Sequence, residues 1–117
     1  VTVEVGGERV QTEVVQSDEK KKKGLSGKAG IFENEGMLFA FEKKAIHAFW
    51  NKDMQFAIDV LWIDDETIVD VFENLPAFTG TVLMATPSRE GNLVLELQEG
   101  FIKAHGIKRG DKVKISP

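Results

Sequence analysis

The chain has 117 residues and a mass of 13.0 kDa, which is enough for one domain. Its 42% hydrophobic and 29% charged residues are typical of a soluble globular protein, and no uncharged apolar run reaches the ~18 residues of a membrane span. The lack of cysteine excludes disulfides, thiol catalysis and cysteine-ligated metals, and the net charge of −4 disfavours nucleic acid as a partner.

The first two predicted strands form a hairpin. Residues 1–5 and 8–15 alternate and are rich in valine, as in half-buried strands. Gly6 and Gly7 separate the two runs, and glycine supplies the positive φ that a tight hairpin turn needs. We therefore expect two antiparallel strands at the start of the chain.

A polar segment follows the hairpin. Residues 17–30 contain three glycines, four consecutive lysines and one large apolar residue, Leu25, which predicts a long loop or a frayed helical turn. Apolar and aromatic residues return at 36–41 and 46–50, and both runs predict strands.

Residues 54–63 form the most informative predicted strand. Alternate positions on one face are all apolar: Met54, Phe56, Ile58, Val60 and Trp62. The opposite face is apolar except at one position: Ala57, Asp59, Leu61 and Ile63. Because both faces are apolar, we expect this strand to be central and its first face to fill one core. The acidic turn 64–66 then leads into a strand at 67–72, completing a second hairpin.

The remaining elements are short. We predict strands at 81–85, 93–97 and 112–115, and one helix over Gln98–His105 that ends before Gly106, where a left-handed residue is favoured. Many short strands separated by turns predict a mainly β fold. The expected architecture is a single-domain β-barrel or sandwich of about eight short strands with one short helix, covering residues 1–117.

Several blocks in this order resemble one family. They are Lys23-Gly24-Leu25, Gly36-Met37-Leu38-Phe39, Phe49-Trp50-Asn51-Lys52-Asp53 leading into Ala57-Ile58-Asp59, Val94-Leu95-Glu96-Leu97, and His105-Gly106-Ile107-Lys108-Arg109-Gly110-Asp111. Together they resemble the domain-of-unknown-function 192 family over nearly the whole chain. The family pattern usually has Met, Asn and Pro where this chain has Asn51, Asp53 and Ala57. The resemblance implies a small, mainly β domain of bacteria and archaea, often behind a signal peptide, with no assigned activity, catalytic residue or cofactor.

The densest candidate binding site is Trp50, Asn51, Lys52 and Asp53. An exposed indole beside an amide, an ammonium and a carboxylate could stack on a flat ligand and hydrogen-bond its edge. The polar triplet interrupts two apolar runs, so the chain should surface here and expose Trp50. The alternative is that Phe49 and Trp50 are core residues on opposite faces of a strand, with Lys52 and Asp53 solvated at its end.

Asp59 is the second candidate site residue, because a carboxylate inside an apolar strand needs a partner. A structural role would have it accept hydrogen bonds from backbone N–H groups, a loop hydroxyl, or a basic side chain such as Arg89 or Lys52. A functional role would make it a general acid or base in a cleft.

No metal or cofactor site is predicted. His47 and His105 are far apart in sequence and form no zinc-binding spacing, and no serine lies in a nucleophile-elbow motif. The glycines of the 24–30 segment do not follow a phosphate-binding pattern, so a mobile loop is the simpler interpretation.

Three functions therefore remain open. The first is a binding module for an unknown small molecule, glycan or protein at the Trp50 site. The second is a hydrolase-like enzyme that pairs Asp59 with His47 or another remote residue. The third is a nucleic-acid-binding barrel, which requires the Lys20–Lys23 segment and the Lys108-Arg109 turn to share one face. The chain shows no leader, which fits a cytoplasmic protein or a mature exported domain, and its Lys and Glu content suggests a thermophilic source.

Overall fold

The fold is built on a curled seven-stranded sheet, described here from a computed structural model of residues 1–117. The strands are β1 Thr2–Val5, β2 Glu8–Val15, β3 Glu35–Ala45, β4 Phe49–Trp50, β5 Ile58–Asp64, β6 Thr67–Leu75, β7 Met84–Ala85, β8 Gly91–Gln98 and β9 Lys114–Ser116. The helices are α1 Asp18–Lys23 and α2 Phe101–His105. The main sheet has the order β6-β5-β8-β3-β2-β1-β9, in which only β2 and β3 are parallel, and β4 pairs with β7 in a separate two-stranded sheet. Neither helix has the length and apolar character needed to cross a membrane.

The curl brings the two outer edges of the main sheet together at one end. Thr67 of β6 forms an isolated antiparallel bridge with Lys112, two residues before β9. Next to this bridge the Ile68 N–H donates to the carbonyl of Asp111 at 2.9 Å. The sheet is therefore a half-barrel joined at one end, and the mainly β fold expected from the sequence is confirmed.

The inner face of the half-barrel carries the first core. Each long strand contributes apolar side chains, and α2 covers one end with Phe101 and Ile102. The buried members are Val3, Val5, Val10, Leu38, Leu61, Ile63, Ile68, Leu95, Leu97, Phe101, Ile102, Ile107 and Val113. The chain has no disulfide, so the burial of these apolar side chains stabilises the fold.

The outer face carries a second core, which the α1 segment and the β4–β7 sheet cover. Its buried members are Val15, Leu25, Met37, Phe39, Met54, Ile58, Val60, Trp62, Leu75, Ala85 and Val94. β5 is buried on both faces because it lies between β6 and β8, with a core on each side. The sequence therefore identified a central strand correctly.

The predicted bounds of that strand are wrong at its start. β5 begins at Ile58, and the chain before it turns away from the sheet. Met54 is still buried in the outer core, whereas Phe56 packs against the core only in part. Phe56 is therefore not the core residue that strict alternation from 54 to 62 predicts.

The structure has two helices where the sequence predicted one. α1 forms because Ser17 caps it, accepting a hydrogen bond from the Lys20 N–H at 3.2 Å, and because acidic residues occupy its first turn and lysines its last. α2 starts at Phe101 rather than Gln98, since Gln98 still belongs to β8. Gly106 ends α2 with φ of 60°, as predicted.

The other predicted elements differ in length. The first hairpin is confirmed, with φ of 58° at Gly6 and 81° at Gly7. β3 continues to Ala45, four residues beyond its predicted end, while only Phe49–Trp50 of the predicted 46–50 strand pairs with another strand.

Candidate functional site

A cavity of about 410 Å³ opens on the outer face, between the α1 segment and the β4–β7 sheet. Its size is within the ~300–1,000 Å³ of typical ligand pockets. The lining is mostly apolar, with lysines on one side and a single acidic residue: Lys21, Lys22, Lys23, Gly24, Leu25, Ser26, Phe41, Ile46, His47, Ala48, Phe49, Trp50, Met54, Met84 and Glu96. We call this space the α1–β4 cavity.

Aromatic rings form one wall of the α1–β4 cavity. The His47 ring stacks on Phe41 with 3.6 Å between centroids and an angle of 13° between planes. Lys21 Nζ lies 4.2 Å from the centroid of the same Phe41 ring, within the range of a cation–π interaction. Phe41 therefore has His47 against one face of its ring and Lys21 against the other, and the three side chains form one packed wall.

Trp50 lies at the mouth of the cavity and is 49% exposed. Its position before a polar triplet predicted this exposure. Lys52 Nζ lies 5.4 Å from the indole centroid, so a cation covers part of the ring. An exposed indole next to an apolar cavity can contribute stacking area to a bound molecule.

Asn51 holds β4 in place from beneath the surface. Its buried side chain donates from Nδ2 to the carbonyl of Pro76 at 3.0 Å, and its Oδ1 accepts from the Leu83 N–H at 2.7 Å. The amide is therefore fully engaged with the backbone that leads to β7. Asn51 positions Trp50 but does not line the cavity.

Lys52 and Asp53 connect the Trp50 turn to the segment after α1. The carbonyl of Lys52 accepts from the Ser26 hydroxyl at 3.1 Å, and that of Asp53 accepts from the Gly27 N–H at 3.3 Å. Both side chains are exposed, and Asp53 has a φ of 61°. The backbone of the pair joins the two walls of the cavity, while the side chains lie outside its lining.

His47 is fixed by a residue of the outer core. The indole N–H of buried Trp62 donates to the carbonyl of His47 at 2.7 Å, and His47 Nε2 lies 3.0 Å from the carbonyl of Lys43. These bonds hold the 46–48 connection against the sheet, although it has no strand pairing of its own.

Positive charge dominates one side of the cavity. Lys21, Lys22 and Lys23 all line it, and no salt bridge occupies their ammonium groups. An adjoining hollow is lined by Lys20, Lys23, Gly24 and Lys28 together with Glu13, Val15 and Met37. The basic segment, which the sequence predicts as a long loop or a frayed helical turn, therefore lines one side of an apolar cavity.

Glu96 is the site residue that the sequence analysis missed. It lies on β8 between Met37 of β3 and Val60 of β5, lines the cavity and is only 3% exposed. Its Oε1 has no hydrogen-bond partner, and burial raises the pKa of the carboxyl from 4.5 to about 8. The sequence signal was available, because Glu96 interrupts the apolar run 93–97 as Asp59 interrupts its own strand.

Gly24 lies beside the Glu96 carboxyl group. A Cβ at Gly24 would lie 3.7 Å from Glu96 Oε1 and 3.4 Å from the Phe39 ring. Gly24 also ends α1 with φ of 49° and ψ of −129°, a conformation that favours glycine. The end of the helix therefore brings only backbone over the carboxyl group.

Asp59 lies away from this cavity, on the inner face. It is fully buried, with Oδ1 accepting from the Asn74 N–H at 3.0 Å and Oδ2 from the Ile102 N–H at 2.9 Å. Asp59 thus links β6 to the start of α2. It does not meet His47, which lines the α1–β4 cavity.

The second histidine and the Lys108-Arg109 turn are also engaged within the fold. His105 Nδ1 lies 3.0 Å from the carbonyl of Phe101. Lys108 pairs with Asp111 at 3.2 Å, and Arg109 pairs with Asp70 at 3.1 Å. The structure brings together no group of three or more His, Asp or Glu side chains that could hold a metal ion.

Comparisons with known proteins agree on the fold. A crystal structure of a protein of unknown function from Novosphingobium aromaticivorans has a TM-score of 0.87 and 25% identity, covering 98% of this chain and 84% of that one. A crystal structure of a candidate transcription regulator from Sinorhizobium meliloti has a TM-score of 0.82 and 25% identity, covering 91% and 81%. No curated protein matches the chain.

The sequence itself matches one family model. That model is DUF192, described as an uncharacterised ACR, and the match extends over residues 1–115 of the 117. The blocks that carry the resemblance include Gly24 and Trp50 of the cavity lining. The chain belongs to the domain-of-unknown-function 192 family.

Proposed function

We propose that this protein is a binding module whose ligand is a flat, anionic small molecule held in the α1–β4 cavity. The observation that carries the proposal is the presence of two features in one space: an apolar, aromatic-lined cavity of about 410 Å³ and three lysines on its wall that form no salt bridge. Apolar walls supply contact area, and a few polar groups fix the orientation of a ligand.

The shape of the ligand follows from the rings. Phe41 and His47 form a stacked wall, and the half-exposed Trp50 stands at the mouth. A planar ring can lie between these surfaces, whereas a bulky aliphatic group would leave them poorly filled.

The charge of the ligand follows from Lys21, Lys22 and Lys23. Although the whole chain has a net charge of −4, these three lysines all line one cavity. They attract a carboxylate, sulfonate or phosphate and repel a cation.

The other two functions have less support. The description of the Sinorhizobium protein would favour nucleic-acid binding, but Lys108 and Arg109 are each paired with a carboxylate and so offer little free charge to a phosphate backbone. A hydrolase based on Asp59 would need a free carboxylate oxygen, and both oxygens of Asp59 accept backbone hydrogen bonds.

The proposal can be tested with 1-anilinonaphthalene-8-sulfonate, a flat anionic probe whose fluorescence rises in apolar sites. We expect saturable binding to the wild type at one site. Trp50→Ala should weaken it about tenfold, because stacking contributes ~1–3 kcal/mol. Lys21→Gln should weaken it a few-fold, with less loss at high salt.

Two matched variants control for general surface effects. Phe32 is an exposed aromatic outside the cavity, and Lys114 is an exposed lysine on β9. Phe32→Ala and Lys114→Gln should bind the probe as the wild type does. Equal losses in the control and cavity variants would refute the proposed site, as would the absence of any saturable binding.

A further inference from the structure

We propose that Glu96 determines the specificity of the α1–β4 cavity by hydrogen-bonding a neutral amide or lactam group at the buried end of the ligand. This inference rests on the proposed function and names the second half of the ligand. It starts from the depth of Glu96, which lines the cavity yet is the least exposed of its polar side chains at 3%.

The carboxyl group lacks the partners that a buried polar group needs. Oε1 is fully shielded from solvent and has no hydrogen bond within the protein. Its strand neighbours Met37 and Val60 offer no polar side chain. Most buried polar groups are satisfied, so an unsatisfied one that faces a cavity indicates a bond completed by a bound molecule.

The charged groups around Glu96 decide what kind of molecule that is. Lys21, Lys22 and Lys23 face the cavity from α1, and His47 faces it from the β3–β4 connection. The adjoining hollow adds Lys20, Lys28 and Glu13. A cationic ligand group would approach Glu96 past several ammonium groups, which disfavours an amine or amidine and favours a neutral group.

The protonation of the carboxyl defines the complementary group. Because burial raises the pKa of Glu96 to about 8, the carboxyl is mostly neutral at pH 7. A neutral carboxyl offers one O–H donor beside one carbonyl acceptor. An amide or lactam presents a carbonyl acceptor beside an N–H donor, and the two can pair through both bonds.

The test uses three probes that share a benzene ring and a carboxylate and differ only in the opposite substituent. They are 4-carbamoylbenzoate, whose substituent is a neutral amide, 4-isopropylbenzoate, whose substituent is apolar, and 4-amidinobenzoate, whose substituent is a cation. Dissociation constants are measured at pH 6 for the wild type, Glu96→Gln and Glu96→Leu. We expect the wild type to bind the carbamoyl probe at least about tenfold more tightly than either of the others.

The variants assign that preference to residue 96. Glu96→Gln should keep it, because glutamine also offers a donor beside an acceptor. Glu96→Leu should lose it and bind the isopropyl probe best. The two variants have no unpaired carboxyl to bury, and circular dichroism confirms that each is folded.

A pH series separates Glu96 from the other titrating groups. Between pH 6 and pH 9 the wild type should lose about tenfold in affinity for the carbamoyl probe as the binding-competent neutral form is depleted. Glu96→Gln contains the same lysines and His47, so its change over this range is subtracted.

The outcomes distinguish this inference from the function on which it rests. Equal affinity of the wild type for all three probes would overturn the role of Glu96, as would a preference that Glu96→Leu leaves intact. Either result would still agree with an anion-binding cavity. A preference for 4-amidinobenzoate would overturn the neutral pairing. Failure of every probe to bind at millimolar concentration would overturn both.

Discussion

Asp59 of β5 and Glu96 of β8 are buried on opposite faces of the main sheet, on adjacent strands, and the two carboxyl groups have opposite surroundings. On the inner face, both oxygens of Asp59 accept backbone hydrogen bonds, from Asn74 and Ile102. On the outer face, Oε1 of Glu96 has no partner, although the side chain is nearly as deeply buried. Burial is therefore common to both groups, and hydrogen bonding is what separates them.

This difference separates a carboxyl group that stabilises the fold from one that is free to bond a ligand. The bonds of Asp59 join β6 to the start of α2, so this carboxyl group stabilises the fold where a helix begins. The Glu96 carboxyl stabilises nothing that the structure contains, and its desolvation costs free energy. A cost of this kind beside a cavity identifies a candidate binding group.

The largest expected effect is a pH-dependent cost of burying Glu96. The pKa of this carboxyl is about 8 in the folded protein and near 4.5 when unfolded, so between these values the folded state binds more protons. Stability should therefore fall as pH rises, by roughly 1.4 kcal/mol per unit at most and ~3–4 kcal/mol between pH 5 and pH 8. Urea unfolding across this range measures the change.

Glu96→Gln is the control for that experiment, because it removes the titrating group and keeps the shape. The difference in unfolding free energy between the variant and the wild type should grow in favour of the variant from pH 5 to pH 8. A constant difference would show that the Glu96 carboxyl has a partner or solvent access, and the contrast with Asp59 would then fail.

The second expected effect comes from the inner face. Asp59→Ala removes the acceptor of two backbone N–H groups and leaves that of buried Ile102 without a partner, which should lower the free energy of unfolding by about 3 kcal/mol at pH 7. Glu96→Leu, the matched deletion on the outer face, should leave stability unchanged or raise it. Similar losses in both variants would contradict the distinction between the two carboxyls.

Much of the fold follows from local patterns. The Gly6-Gly7 turn, the two apolar faces of β5 and the Gly106 end of α2 each depend on short-range chemistry, and each was predictable. Phe56 was misplaced because strict alternation ignores where a strand begins. The α1 segment was predicted as a long loop or a frayed helical turn, although Ser17 and the charge order of its two turns favour a helix.

The candidate site was less predictable, because it forms between distant segments. The exposure of Trp50 was predicted from the polar triplet that follows it. The convergence of Lys21 with His47 and Trp50 depends on contacts separated by more than twenty residues, which a single sequence does not reveal. Glu96 carried the same local signal as Asp59, but only the structure distinguishes a satisfied carboxyl from an unsatisfied one.

A smaller effect on stability is expected at Trp62, which supports the outer core beneath the cavity. Trp62→Phe removes the indole N–H that donates to the carbonyl of His47 and leaves a small gap. We expect a loss of about 1–2 kcal/mol in urea unfolding. The probe 1-anilinonaphthalene-8-sulfonate should also bind more weakly, because the His47 wall is no longer fixed. Unchanged stability would mean that this bond does not hold the 46–48 connection.

The smallest effect on stability is expected at Trp50. It tests whether this exposed tryptophan differs from buried Trp62 in its role. Trp50 is 49% exposed and its indole N–H has no partner within the protein, so Trp50→Phe should change the free energy of unfolding by less than about 0.5 kcal/mol. Fluorescence should change far more. With Trp50 replaced, the remaining emission comes from buried Trp62 and should resist acrylamide, whereas the Trp62→Phe protein should be readily quenched. Equal protection of the two tryptophans from acrylamide would mean that Trp50 is a core residue and does not form the mouth of the proposed cavity.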